Sequence, residues 1–276
     1  MTVNNKNLHM KQVVMLMILG TFLTGCKNES QTRDAELEKG TVAKAAEKVE
    51  KDREHIEIKP VSHATSVIKW GDVVFYTDPT GGAEAFSGME KPDFILISDI
   101  HGDHMDAKTL QALELGNIQI IVPQAVRDAL PKEMHSQLIV LNNGQSQEFM
   151  GFNIEAIPMY NLPEDPESRH IKGRGNGYVL EKNSTRLYIA GDTEDIPEMR
   201  NLKDIDIALI PMNLPFTMDV DQAADGVLAF APKKVYPYHY RGQDGLADVE
   251  KFRELVNAKN KNIEVVLLNW YPGNNN

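Results

Sequence analysis

The chain has 276 residues, 29 Lys+Arg against 40 Asp+Glu for a formal net charge of −11, 42% hydrophobic and 25% charged residues, and one cysteine. At about 100–200 residues per domain this length suits one large or two small domains with a sizeable core, and the composition excludes wholesale disorder. An acidic balance without a basic cluster argues against nucleic-acid binding, and a single cysteine excludes an internal disulfide framework and a thiolate-rich zinc site.

The chain opens as an address. Lys6 and Lys11 precede an apolar run from Val13 to Leu23 that ends in Leu23-Thr24-Gly25-Cys26. That run is too short for a hydrocarbon core of ~30 Å, which takes about 20 helical residues. A basic start, a short apolar centre and small residues at the end fit a signal peptide. With the lone cysteine directly after Leu-Thr-Gly, residues 1–26 resemble a bacterial lipoprotein signal, which implies cleavage before Cys26 and lipidation of its thiol. A lipid anchor in a bacterial membrane and an envelope location follow from that resemblance, with the domain facing the periplasm or the exterior. Residues 27–54 are dense in Glu, Lys, Arg and Ala, have little to bury, and are expected to be a charged spacer.

From residue 55 to 276 the pattern is that of a folded domain. Val61–Trp70 and Val73–Thr77, separated by Gly71-Asp72, predict a hairpin. Phe94–Ser98 predicts a short apolar strand, Asp106–Leu115 a helix with an acidic cap, Ile118–Val122 a strand, and Gln124–Leu130 a helix stopped by Pro131. Strands are expected at Leu138–Leu141, Phe149–Pro158, Gly177–Glu181, Arg186–Ala190 and Asp206–Ile210. A helix over Asp221–Phe230, a strand at Lys234–Tyr238, a helix over Leu246–Asn257 and a strand at Ile263–Leu268 complete the domain. Strands in both halves with helices between them predict an α/β (α+β) domain of two sheets sandwiched between helices.

The chemistry concentrates in Ile97-Ser98-Asp99-Ile100-His101-Gly102-Asp103-His104-Met105-Asp106, where an apolar strand runs into a loop rich in His and Asp. Imidazole and carboxylate are the ligands that hold zinc, manganese or iron where cysteine is absent. Alternate residues Asp99, His101 and Asp103 can project to one side, and Gly102 gives the backbone freedom to bring in His104. Asp192 follows a predicted strand, as does His239, and His170 stands before the glycine-rich stretch Gly173-Arg174-Gly175-Asn176-Gly177.

Taken together, Asp99-x-His101-x-Asp103-His104 followed by His170, Asp192 and His239 resembles the metallo-β-lactamase superfamily. The likeness is to its ascorbate-6-phosphate lactonase-like and N-acyl-phosphatidylethanolamine phospholipase D-like branch. His63 in Val61-Ser62-His63-Ala64-Thr65 and Asp78 in Tyr76-Thr77-Asp78-Pro79 look like the family's opening hairpin and supporting positions. The resemblance implies a four-layer αββα sandwich and two divalent metal ions, with zinc expected and manganese or iron as alternatives. The first ion would be held by Asp99, His101 and His170, the second by Asp103, His104 and His239, with Asp192 bridging. A metal-bound hydroxide would attack an ester- or lactone-type or phosphodiester bond of a small-molecule substrate, with Asp103 and Asp192 steering it.

Asp99 departs from the family pattern, which has histidine there. A third carboxylate lowers the net charge of the cluster by one and shifts preference from zinc towards harder ions. Lys172, Arg174 and Arg241, close in sequence to the histidines, are candidates for binding a phosphate or carboxylate. Tyr160, Asn161, Phe216 and Tyr240 are expected near the mouth, as packing residues. The alternative reading is a non-catalytic envelope module that keeps the fold to bind a metal or ligand.

Overall fold

The computed structural model describes residues 55–272, so the expected signal peptide, Cys26 and the whole of the expected spacer lie outside the described residues. β1 (Ile56–Ser62), β2 (Thr65–Trp70), β3 (Val73–Thr77), β4 (Phe94–Leu96), β5 (Gln119–Val122) and β6 (Leu138–Val140) form one sheet in that order. Its first three strands pair antiparallel, and β3 to β6 run parallel. The second half repeats the plan. β7 (Ser146–Phe149), β8 (Phe152–Met159), β9 (Gly175–Lys182) and β10 (Thr185–Ile189) pair antiparallel. From β10 the sheet continues in parallel through β11 (Ile207–Pro211) and β12 (Lys234–Tyr238). After a two-stranded hairpin, β13 (Arg241–Gly242) and β14 (Gly245–Leu246), the strand β15 (Glu264–Val265) closes the edge beside β12.

Strand periodicity decides how the layers stack. Ile68, Phe75, Phe94, Leu96 and Ile121 share one face of the first sheet and join Phe152, Ile154, Tyr178 and Leu180 of the second in a single core. Trp70 meets Phe152 edge to face across this interface at 5.1 Å, and Phe75 stacks on Phe94 at 4.8 Å. Their neighbours Val67, Val74, Tyr76, Ile95, Ile120 and Val122 point the opposite way. They pack under α1 (Ala107–Ala112) and α2 (Gln124–Ala129), which contribute Leu110 and Val126. Strands buried on both faces read as continuous apolar runs rather than alternating ones, which made these segments legible in the sequence.

The outer face of the second sheet is covered by α3 (Pro197–Arg200), α4 (Val220–Phe230) and α5 (Val249–Lys259). α4 buries Ala223, Val227 and Phe230, and α5 buries Phe252 and Val256, the spacing of one helical stripe. Aspartates cap α1, α4 and α5: Asp106, Asp219 and Asp248 each accept a hydrogen bond from a first-turn backbone N–H. The result is the expected four-layer αββα arrangement, with each fully buried large apolar side chain contributing ~1.5–3 kcal/mol. Among the described residues no helix is long and apolar enough to cross a membrane.

The structure redraws several boundaries. The run Val61–Trp70 is two strands, because His63 adopts φ 47° and turns the chain between β1 and β2. Phe149–Pro158 breaks at Met150-Gly151, whose φ values of 49° and 80° make the two-residue turn that fits strand twist. The last helix starts at Val249 rather than Leu246, since Leu246 pairs with Arg241 in a hairpin and Asp248 caps the helix. The strand expected at Ile263–Leu268 shrinks to Glu264–Val265. α3 escaped the sequence reading because four residues show no period.

Candidate metal centre

Every candidate ligand leaves one end of the two sheets. Asp78 follows β3, the segment from Asp99 to His104 follows β4, and His170 lies between β8 and β9. Asp192 follows β10, and His239 follows β12. β3 and β4 are parallel, as are β10, β11 and β12, so their C-terminal ends emerge side by side. Gly191, at φ 69°, makes the turn that swings Asp192 inward, and a Cβ there would stand 3.0 Å from the Asn176 carbonyl oxygen. No other residue fits that position without strain.

Two groups of ligand-type atoms form there. Asp99, His101 and His170 offer atoms within 4.8 Å of one another, and so do Asp103, His104 and His239. Asp192 spans them: its Oδ2 lies 3.3 Å from His104 Nε2 and 3.2 Å from His170 Nε2, and its Oδ1 lies 3.4 Å from His239 Nε2. His239 Nε2 is also 3.3 Å from Asp103 Oδ2, and His101 Nδ1 is 2.6 Å from Asp99 Oδ2. All are buried except His101, whose side chain is 22% exposed, and Asp103, whose side chain is 38% exposed at the rim.

The donor set fits divalent ions. His101 Nδ1, His104 Nε2, His170 Nε2, His239 Nε2 and Asp192 Oδ1 are buried, converge on one place and, among the described residues, meet only one another and the carboxylates of the same cluster. Five such atoms in one spot would be costly unless something electrophilic sat between them. Burial disfavours charge on His104, Asp192, Asp103 and Asp99, yet the attraction of their neighbours prevails. His104 is held well above its ordinary pKa by Asp192 and Asp78, and Asp192 well below by His239 and His104. Asp103 and Asp99 are also lowered against burial, through His239 and His101 respectively.

Outside this ring, specific acceptors aim the imidazoles. Asp78 accepts from the Ser98 backbone N–H at 2.7 Å and from the Ser98 hydroxyl at 2.6 Å, and its Oδ2 lies 2.9 Å from His104 Nδ1. The Phe216 carbonyl oxygen lies 3.1 Å from His170 Nδ1. Each contact turns Nε2 towards the centre and fixes the tautomer. Asp78→Asn keeps a side chain that tolerates the φ of 44° found there and removes the carboxylate. It is expected to weaken metal binding about 10–100-fold, read by competition with a chromogenic chelator, and unchanged affinity would remove Asp78 from this role.

The cationic candidates separate. Lys172 pairs with Glu164 and Glu198, both at 3.0 Å, and lies over the Tyr160 ring, away from the cavity at the ligands. Arg174 forks onto Asp99, its Nε 3.3 Å from Oδ1 and its Nη2 3.4 Å from Oδ2. The charge deficit expected from Asp99 is thus offset by an adjacent guanidinium. Arg241 lines a cavity of about 220 Å³ together with His63, Asp103, Asp192, His239, Phe216, Asn213 and Arg169. Of the four expected mouth residues, Phe216 reaches this cavity, whereas Tyr160 and Tyr240 are buried in the core. Asn161 binds the Phe216 carbonyl oxygen and the His170 backbone N–H. The sequence reading missed Arg169 and Asn213. Arg169 directly precedes His170, and Asn213 follows β11 as Asp192 follows β10, so position was the available signal.

A family described as a β-lactamase superfamily domain matches residues 57–239. The chain belongs to the metallo-β-lactamase superfamily. Within it, the chain is 30% identical over 222 residues to a UPF0173 metal-dependent hydrolase of Thermococcus onnurineus, covering 77% of this chain and 96% of that protein. Another UPF0173 metal-dependent hydrolase, from Thermus thermophilus, is 28% identical over 211 residues, 72% of this chain and 92% of the relative. Among solved structures, a protein of Parabacteroides distasonis described as a metal-dependent hydrolase is 36% identical with a TM-score of 0.67, covering 77% and 92% of the two chains. Membership in a family of metal-dependent hydrolases follows. The metallo-β-lactamase fold places the ligand clusters at the sheet ends, and the non-catalytic alternative gains no support from these relatives.

Proposed function

We propose that this chain is a hydrolase with a dinuclear metal centre acting on a carboxylic ester or lactone, with a phosphodiester as the alternative bond. Asp99, His101 and His170 would hold one divalent ion, and Asp103, His104 and His239 the other, with Asp192 shared. Zinc is the expected ion, and the added carboxylate of Asp99 keeps manganese or iron as alternatives. The observation that carries the reading is the convergence on one place of five buried ligand atoms that have no hydrogen-bond partner outside their own cluster among the described residues. Bound there, divalent ions supply Lewis acidity and a water that ionises near neutral pH.

The chain's own residues supply the rest. Asp192, within 3.4 Å of three imidazoles, fixes the spacing of the two groups. Asp103, at the exposed rim with Oδ2 towards His239, is placed to orient an attacking water and to accept its proton. Asp78 and the Phe216 carbonyl hold His104 and His170 in the ligating orientation. The cavity at the Asp103 and His239 side is the route of entry for a small substrate. The signal-like segment before Cys26 supports a lipid-anchored form in a bacterial cell envelope, with residues 27–54 as the tether.

Elemental analysis of the purified chain is expected to give close to two equivalents of zinc, manganese or iron. A turnover panel of 4-nitrophenyl esters, lactones and bis(4-nitrophenyl) phosphate is expected to favour the carboxylic substrates. One equivalent of metal would end the dinuclear claim. No metal after reconstitution would end the metallohydrolase mechanism altogether.

A further inference from the structure

We propose that Arg169 and Arg241 form an anion-binding pair at the cavity mouth, so that the substrate carries a carboxylate or phosphate group separate from the bond that is cleaved. Among the described residues every other arginine is committed to a carboxylate. Arg127 pairs with Asp128, Arg174 with Asp99, Arg186 with Glu181, Arg200 with Asp195 and Asp225, and Arg253 with Glu250. Arg169 and Arg241 have no such partner among those residues, although the chain is strongly acidic and carboxylates are plentiful. Both line the cavity that reaches Asp103, Asp192 and His239.

Each guanidinium is held from behind by an aromatic face. Arg169 sits 4.7 Å over the Phe216 ring and Arg241 sits 4.6 Å over the Tyr271 ring. Stacking occupies the plane of a guanidinium and leaves its edge of N–H donors free to fork onto an oxyanion. For Arg241 one donor of that edge, Nη2, is buried and has no hydrogen-bond partner among the described residues. A buried donor left open costs free energy that an arriving acceptor recovers, and a side chain fixed beforehand loses little entropy on binding. The aspartates in the cavity do not fill this role, because Asp103 and Asp192 face the histidines. A metal centre at the floor and two guanidiniums at the mouth therefore sort a small substrate by its charge, with the scissile bond inward and the anion outward. The reaction rests on the hydrolase reading above, whereas the binding does not.

The test uses the full chain loaded with zinc, comparing butyrate, glutarate and 4-phosphonobutyrate by calorimetry. In the unaltered chain either dianion is expected to bind about tenfold or more tightly than butyrate, a carboxylate that can engage the metal alone. Arg169→Gln and Arg241→Gln are expected to reduce that preference towards unity, with Arg241→Lys intermediate because it keeps charge but loses the fork. A preference that is absent, or equal in all variants, overturns the proposal. In parallel, mono-4-nitrophenyl glutarate is expected to show a lower KM than 4-nitrophenyl butyrate, and the glutamine variants a KM raised for the glutarate ester. Arginine-dependent binding without turnover of either ester would uphold the anion pair while retiring the hydrolase reading for such esters.

Discussion

Asp192→Ala is expected to abolish hydrolysis and to weaken metal binding at both positions by more than about 100-fold, since loss of an outer partner alone costs 10–100-fold. The reason is geometric. One carboxylate stands 3.3 Å from His104 Nε2, 3.2 Å from His170 Nε2 and 3.4 Å from His239 Nε2, so its removal strips negative charge from both groups at once. The metal-free chain also suffers, because Asp192 and Asp78 are what raise the pKa of His104 against complete burial. Deleting one partner of a buried pair costs about 3–5 kcal/mol. Asp192→Asn separates the two effects: it keeps volume and hydrogen bonding while removing the charge that attracts a cation. Metal content after dialysis and the thermal midpoint of the metal-free chain are the measurements. A variant that retains two tightly bound equivalents would show that Asp192 is not shared between ions.

The second large effect concerns Asp99, which stands where the superfamily pattern has histidine. Asp99 is fully buried, and Arg174, 17% exposed, forks onto it. As a pair they carry the net charge of a neutral imidazole. Asp99→His alone should leave the guanidinium uncompensated beside the ion and lower metal affinity at least about tenfold, the scale of one lost unit-charge contact at short range. Arg174→Met alone leaves the carboxylate unneutralised, so the metal-free chain should lose about 3 kcal/mol of stability and the metal-loaded chain much less. The double variant removes both charges and is expected to recover most of the affinity lost in Asp99→His. This double-mutant cycle, read by metal titration and thermal melting, isolates the coupling. Additive effects of the two substitutions would dissolve the pair as a functional unit.

The candidate ligands from Asp99 to His104 were legible in the sequence because their signal is local. A short apolar strand that runs straight into Asp99-x-His101-x-Asp103-His104 has a reading of its own, whatever the remainder of the chain does. Fully buried strands such as β4 and β12 were legible for the same reason. Boundaries failed where one residue with positive φ turned the chain inside an apolar run, as at His63 and Met150, because composition does not record backbone sign. The four-residue α3 failed for want of a period.

The cationic residues mark the limit. Lys172, Arg174 and Arg241 looked alike as basic residues near histidines, yet the fold sends them to three different ends. Lys172 goes to Glu164 and Glu198, Arg174 to a carboxylate 75 residues away in the chain, and Arg241 to a cavity beside Arg169. Local pattern determined which side chains are candidates to bind metal and at which strand ends they stand. Only the tertiary structure decided which of them meet and which charges remain unpaired. Long flexible side chains take their partners from distant strands, and those distances are set by how the two sheets pack.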